Sequence, residues 1–169
     1  MYRKLSFEVV SLPLQVEAVT DKMWDGPTPS VVHISAPIGE SLTPREVFLV
    51  TGEGKEPIRI EVLAHAFSRW PEDQLRPFVI LDTVDNPFDR GRTLLLRNAF
   101  AARLFPEATR GVLAIGPYAR EDLAAAVQAL IAHMTGHISI SELHSSFWEA
   151  QRNPAPALFT LDPDLPLWD

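Results

Sequence analysis

Apolar residues along this chain follow two rhythms. In one they form short runs rich in β-branched side chains, and in the other they recur every three or four positions. The short runs are Phe7–Leu12, ended by Pro13; Val31–Ser35; Val47–Thr51, turning at Gly52-Glu53-Gly54; Phe78–Leu81, introduced by Pro77; and Gly111–Gly116. Each predicts a strand. The stretch Thr43-Pro44-Arg45-Glu46 carries a helix-capping pattern, but the strand composition that follows it decides that region.

The second rhythm predicts helices. Val16, Val19 and Met23 share a face in Gln15–Met23, before Gly26-Pro27. Val62, Leu63 and Phe67 point inward in Ile60–Phe67. Leu95, Ala99, Ala102 and Phe105 fall at helical spacing in Leu94–Phe105, with Pro106 as the stop. Leu123, Val127, Leu130 and Met134 do so in Glu121–Met134. Ser139 and Glu142 form a capping box for a helix that buries Leu143 and Phe147 and runs to about Ala150.

Strands alternating with helices predict an α/β fold, a three-layer sandwich with a mainly parallel central sheet and right-handed crossovers. A single unit over residues 1–162 with a tail over 163–169 is the economical division. In such folds binding groups collect beyond the carboxyl ends of the strands, here just after Ile34, Leu81 and Ile115.

Composition narrows the function. With 169 residues and 46% apolar side chains, the chain can bury about 70% of its unfolded surface without a metal or disulfide. It has no cysteine, which removes thiol nucleophiles and thiolate metal sites. A formal net charge of -7 disfavours nucleic acid as a partner. Glu8 interrupts the N-terminal apolar run, and no stretch approaches the roughly 20 apolar residues that cross a bilayer. The expectation is a cytoplasmic protein with no membrane partner.

Two segments carry a more specific signal: Val31-Val32-His33-Ile34-Ser35-Ala36-Pro37-Ile38-Gly39 and Pro77-Phe78-Val79-Ile80-Leu81-Asp82-Thr83-Val84-Asp85. With the order strand, His-containing turn, hairpin-like excursion, acidic-ended strand, helix, strand, helix and capped helix, they resemble the CHAT domains of the caspase-like peptidase clan. The family's first signature reads roughly His-aromatic-Ala-Gly-His-Gly, and its second His is the general base. His33 matches the first His, and Pro37 stands where the base would be. The second signature reads roughly Leu-Asn-Ala-Cys, and in Leu81-Asp82-Thr83-Val84 the nucleophile position falls on Val84. Pro156–Asp162 resembles the strand that closes these domains. The resemblance implies a caspase-like fold and a degenerate member of a family usually found in bacteria.

The residue types decide what such a site could do. Thiol proteolysis needs a thiolate against an imidazole. Val84 offers methyl groups, and Pro37 neither titrates nor donates. Thr83 is the nearest hydroxyl, and its expected role is to satisfy a strand-end backbone group. No catalytic residue and no cofactor are expected. The function expected is a protein-binding, scaffolding or regulatory module in a bacterial multi-component system. Its partner would be another protein, such as an active peptidase or a signalling component, or a second copy of the chain.

Other readings remain beside it. Asp82 and Asp85 could hold a divalent cation for hydrolysis or phosphotransfer. Arg90 and Arg92 could contact an anion, a nucleotide or an acidic partner. Trp168 could anchor a partner or fold back on its own domain. His133 and His137 have zinc-ligand spacing, but Gly136 reads as a helix C-cap that leaves His137 outside the helix. His33 is expected to brace the turn from Ser35 to Gly39 from within a buried strand.

Overall fold

The computed structural model describes residues 15, 30–42, 45–52, 54–68, 76–84, 89–118, 139–150 and 155–164. Its strands are β1 (Val31–Ala36), β2 (Ile38–Leu42), β3 (Arg45–Leu49), β4 (Ile58–Arg59), β5 (Phe78–Val84), β6 (Gly111–Tyr118) and β7 (Ala157–Thr160). The helices are α1 (Ile60–Ser68), α2 (Arg90–Ala108) and α3 (Ile140–Ala150). The expected Phe7–Leu12 strand, nearly all of the Gln15–Met23 helix and the Glu121–Met134 helix lie outside the described residues.

The main sheet has the order β1-β5-β6-β7. β1, β5 and β6 run parallel, and β7 closes the sheet antiparallel to β6. Among the described residues the fold is mixed α/β with a mostly parallel four-stranded sheet. Both faces of that sheet are buried. On one, Ile34, Ala36, Val79, Leu81, Val112 and Ala114 meet Phe100, Ala101 and Leu104 of α2 and Leu63, Ala66 and Phe67 of α1. On the other, Phe78, Ile80, Leu113 and Ile115 are shielded just as fully. Because both parities of β5 are covered, its first four residues, Phe78–Leu81, read as an unbroken apolar run.

Between β1 and β5 the chain builds a smaller antiparallel sheet of β2, β3 and β4. Pro37 separates β1 from β2, and its carbonyl accepts the Val50 amide at 2.8 Å, extending the β2–β3 ladder past its last paired residues. Sequence alone placed one strand within a hairpin-like excursion here, Val47–Thr51, where the structure has β3; β2, Ile38-Gly39-Glu40-Ser41-Leu42, alternates too weakly to be read as a strand. Leu49 and Ile58 from this sheet are fully buried against the helices.

Helix α2 departs most from expectation. It starts at Arg90, four residues earlier than the periodicity indicated, because Asp89 caps it by accepting the Arg92 amide at 3.0 Å. It also runs through Pro106 to Ala108; a proline this near the end removes only one of the last-turn hydrogen bonds. The stripe Leu95, Ala99, Ala102 faces solvent, and Leu95 is 71% exposed. The buried stripe is Thr93, Arg97, Phe100, Ala101 and Leu104. Two polar residues on the inner face misled a purely apolar count.

The capping box forms as expected. Glu142 accepts from the Ser139 amide at 2.7 Å and from its hydroxyl at 3.1 Å, while the Glu142 amide donates to Ser139 Oγ at 3.2 Å. The same turn receives the segment after β7, since the Ser141 amide donates to the Pro163 carbonyl at 2.9 Å. Leu143 is buried; the Phe147 side chain lies outside what is described.

Phe100→Ala should destabilise the protein by about 3–5 kcal/mol, and Leu95→Ala by less than about 0.5 kcal/mol, in urea unfolding. If the two were equal, the orientation of α2 would be wrong. The hydrogen bonds from the Ser139 amide and then its hydroxyl hold the Glu142 carboxyl below the usual glutamate value. Its contribution is therefore present at neutral pH and is lost as pH falls through that lowered value. Glu142→Gln should flatten the acid limb of the stability profile followed by circular dichroism.

Candidate functional site

The register of β1 against β5 builds the site. Ile34 pairs with Leu81, Ser35 with Asp82 and Ala36 with Thr83. Pro37 and Val84 are the next residues on the two chains, so the positions that match a base and a nucleophile come to the same end of adjacent parallel strands. Pro37 is exposed, and the Val84 side chain lies outside what is described. Neither residue type can transfer a proton or attack a carbonyl.

Alternation along the strands sends the neighbouring polar residues to opposite faces. His33, Ser35 and Asp82 share one. Asp82 is fully buried, although sequence placed it at the start of a polar strand end. Its Oδ2 accepts from the Ser35 hydroxyl at 3.4 Å and stands 3.8 Å from His33 Nε2. Its Oδ1 has no hydrogen-bond partner. Leaving a buried carboxylate oxygen unpaired costs roughly 1–3 kcal/mol, so this site stores a demand for a cation, a proton or a donor.

His33 is not the fully buried core residue expected. β1 is an outer strand among the described residues, with His33 and Ser35 exposed between the buried Ile34 and Ala36. The His33 side chain retains 30% exposure and faces Asp82; no hydrogen bond from it braces the turn from Ser35 to Gly39. The cluster is a half-open lid over a buried acid.

Thr83 faces the core side, against a distortion in β6. Asp82 pairs with Ile115 but Val84 pairs with Tyr118, so Gly116 and Pro117 together oppose Thr83. Such a bulge accommodates both residues: Gly116 takes a φ of +78, and Pro117 lacks the amide that a regular ladder would need. A Cβ on Gly116 would lie 2.6 Å from the Thr83 carbonyl oxygen. The Thr83 hydroxyl is buried without a partner, so it does not satisfy a strand-end backbone group as expected, and no base hydrogen-bonds it.

Arg97 is a residue that the sequence reading did not single out. It is 1% exposed and is among the largest fully buried side chains. Its Nη1 donates to the Gly116 carbonyl at the bulge, its Nη2 to the Ala155 carbonyl at 3.2 Å just before β7, and its Nε to Asn98 at 3.0 Å. The guanidinium thus joins α2, the β6 bulge and the approach to β7. The available signal was its place one turn before Phe100 and Ala101.

Of the remaining expected contacts, Arg92 donates to Glu40 on β2, an intramolecular ion pair between α2 and the small sheet. Arg90 is exposed at the start of α2. Asp85, Trp168, His133 and His137 lie outside the described residues. Among the described residues, no three His, Asp or Glu side chains converge as a metal cage, and no helix is long and apolar enough to cross a membrane.

Comparison with known proteins returns no matching family model, no matching curated protein and no matching solved structure.

Gly116→Ala provides a direct test of the bulge. A side chain there meets both a left-handed backbone and the Thr83 carbonyl, so the substitution should cost about 2 kcal/mol or more by chemical denaturation. An unchanged midpoint would mean that the β5–β6 register is regular.

Proposed function

We propose that this chain is a non-catalytic, caspase-like domain of CHAT type that binds another protein in a bacterial multi-component system. The observation that carries this reading is the pairing of β1 with β5. The Pro37 and Val84 positions adjoin where a thiol–imidazole pair would have to adjoin, and both are chemically inert. Two features accord with it: the antiparallel sheet inserted between the two strands and the antiparallel closing strand. Asp82, two positions before Val84, departs from the Asn of the family signature.

A cleft that no longer turns over substrate can still recognise an extended segment. The half-open end of β1 offers Ser35 and His33 for side-chain contacts, and Pro37 gives the rim a fixed shape. A partner segment lying across these strand ends would be held without being cut.

Peptide display against the purified protein should return ligands of micromolar affinity. Ser35→Arg, which adds bulk and charge at the mouth, should weaken them at least about tenfold. Leu95→Arg, on the outer face of α2, should leave them unchanged. Peptide hydrolysis by the purified protein that Thr83→Ala abolishes would overturn the non-catalytic reading; ligands insensitive to Ser35→Arg would move the binding surface elsewhere.

A further inference from the structure

We propose that Pro37, Phe48 and Val50 form an apolar shelf that receives a bulky uncharged side chain of an extended, basic partner segment. This rests on the peptide-binding reading and specifies the segment bound. The exposed positions of β1 fall at alternate residues, His33 and Ser35, and Pro37 continues the row past the end of the strand. Val50 stands beside Pro37, one step beyond the Ile38–Leu49 pair, and its amide donates to the Pro37 carbonyl at 2.8 Å. Its side chain is 39% exposed, one of four large hydrophobic residues left in solvent among the described residues.

Alternation decides what else lies on that face. Leu49 is fully buried and Ile38 packs against the core, so the pairs on either side of them, Pro37 with Val50 and Gly39 with Phe48, point outward. Gly39 leaves the space between them open to its neighbours: a Cβ there would lie 2.7 Å from Phe48 Cε2 and 3.2 Å from Val50 Cγ2. The half-buried Phe48 ring and the Val50 methyls therefore close over the glycine backbone into one apolar surface. On the next strand Arg59 is the neighbour of Phe48 and is held by Glu46 at 3.4 Å, so the shelf ends there in a neutralised ion pair.

This layout selects the occupant. Side chains two apart in an extended chain stand on one face about 6.6 Å from each other. A segment with one residue over Ser35 thus sets the next residue of that face over Pro37 and Val50. These side chains and Phe48 offer no donor, acceptor or charge, which favours leucine or phenylalanine there over a polar residue. The buried Asp82 beside Ser35 and the formal net charge of -7 favour basic flanks over acidic ones.

Fluorescein-labelled heptapeptides Lys-Thr-Thr-Xaa-Thr-Thr-Lys test this by fluorescence anisotropy, because either chain direction places a threonine two residues from Xaa. Leucine or phenylalanine at Xaa should bind at least about tenfold tighter than serine or aspartate, and glutamate in place of both lysines should weaken binding by a similar factor. Val50→Ser should erase the preference at Xaa, whereas Leu161→Ser, 90% exposed beyond the opposite edge of the sheet, should keep it. Ser35→Arg should weaken the whole series. Equal binding across the series, a preference that survives Val50→Ser or is lost in Leu161→Ser, or tighter binding of the glutamate-flanked peptides overturns the shelf. If Ser35→Arg still weakens the peptides in that case, the peptide-binding reading stands without it. Absence of saturable binding by every member overturns both.

Discussion

β5 is hydrogen-bonded along both edges and covered on both faces, and the other elements take their places from that double enclosure. Such a strand cannot carry polar side chains without a specific arrangement to receive them. Phe78 through Leu81 meet that condition with hydrocarbon alone. Asp82 and Thr83 do not: the acid is met in part by Ser35 and His33 from β1, while the Thr83 hydroxyl, beside the β6 bulge, is left without a partner. The chemistry at this end of the sheet is a product of how strongly its central strand is buried.

The two sides are unequal in kind. Around Thr83 the contacts are tight and internal, with Gly116 against its carbonyl and Arg97 fastening the bulge to the approach of β7. Around Asp82 they are loose, with a 3.4 Å hydrogen bond, a 3.8 Å approach and one oxygen unmatched. A rigid wall beside a permissive one is what a recognition site needs, since the first fixes position and the second accepts a ligand.

Much of this was legible in the sequence because burial writes itself into runs of apolar residues. β5, β6, α1 and the Ser139–Glu142 cap follow directly from local pattern. The failures occur where a polar residue takes a buried place. Arg97 and Thr93 on the inner face of α2 reversed the apparent orientation of that helix, and Asp82 looked like the solvent end of its strand. β1 shows the converse: His33 and Ser35 are its solvent-facing positions, yet its β-branched content reads as full enclosure. No local rule anticipates that a guanidinium will be used to hold a bulge shut.

The order of strands in the main sheet has a consequence for how the chain acquires its shape. Ile34 lies beside Leu81, Leu81 beside Ala114 and Ala114 beside Ala157, separations of 47, 33 and 43 residues. None of these neighbours can find each other locally, and every ladder must wait for a long loop to close. The small sheet and α1 are the exception, being assembled from residues close in sequence, and they fill the longest of those loops. Folding of that segment shortens the loop that must close before β1 and β5 pair, so what seems an excursion from the fold also lowers the entropic cost of its longest closure.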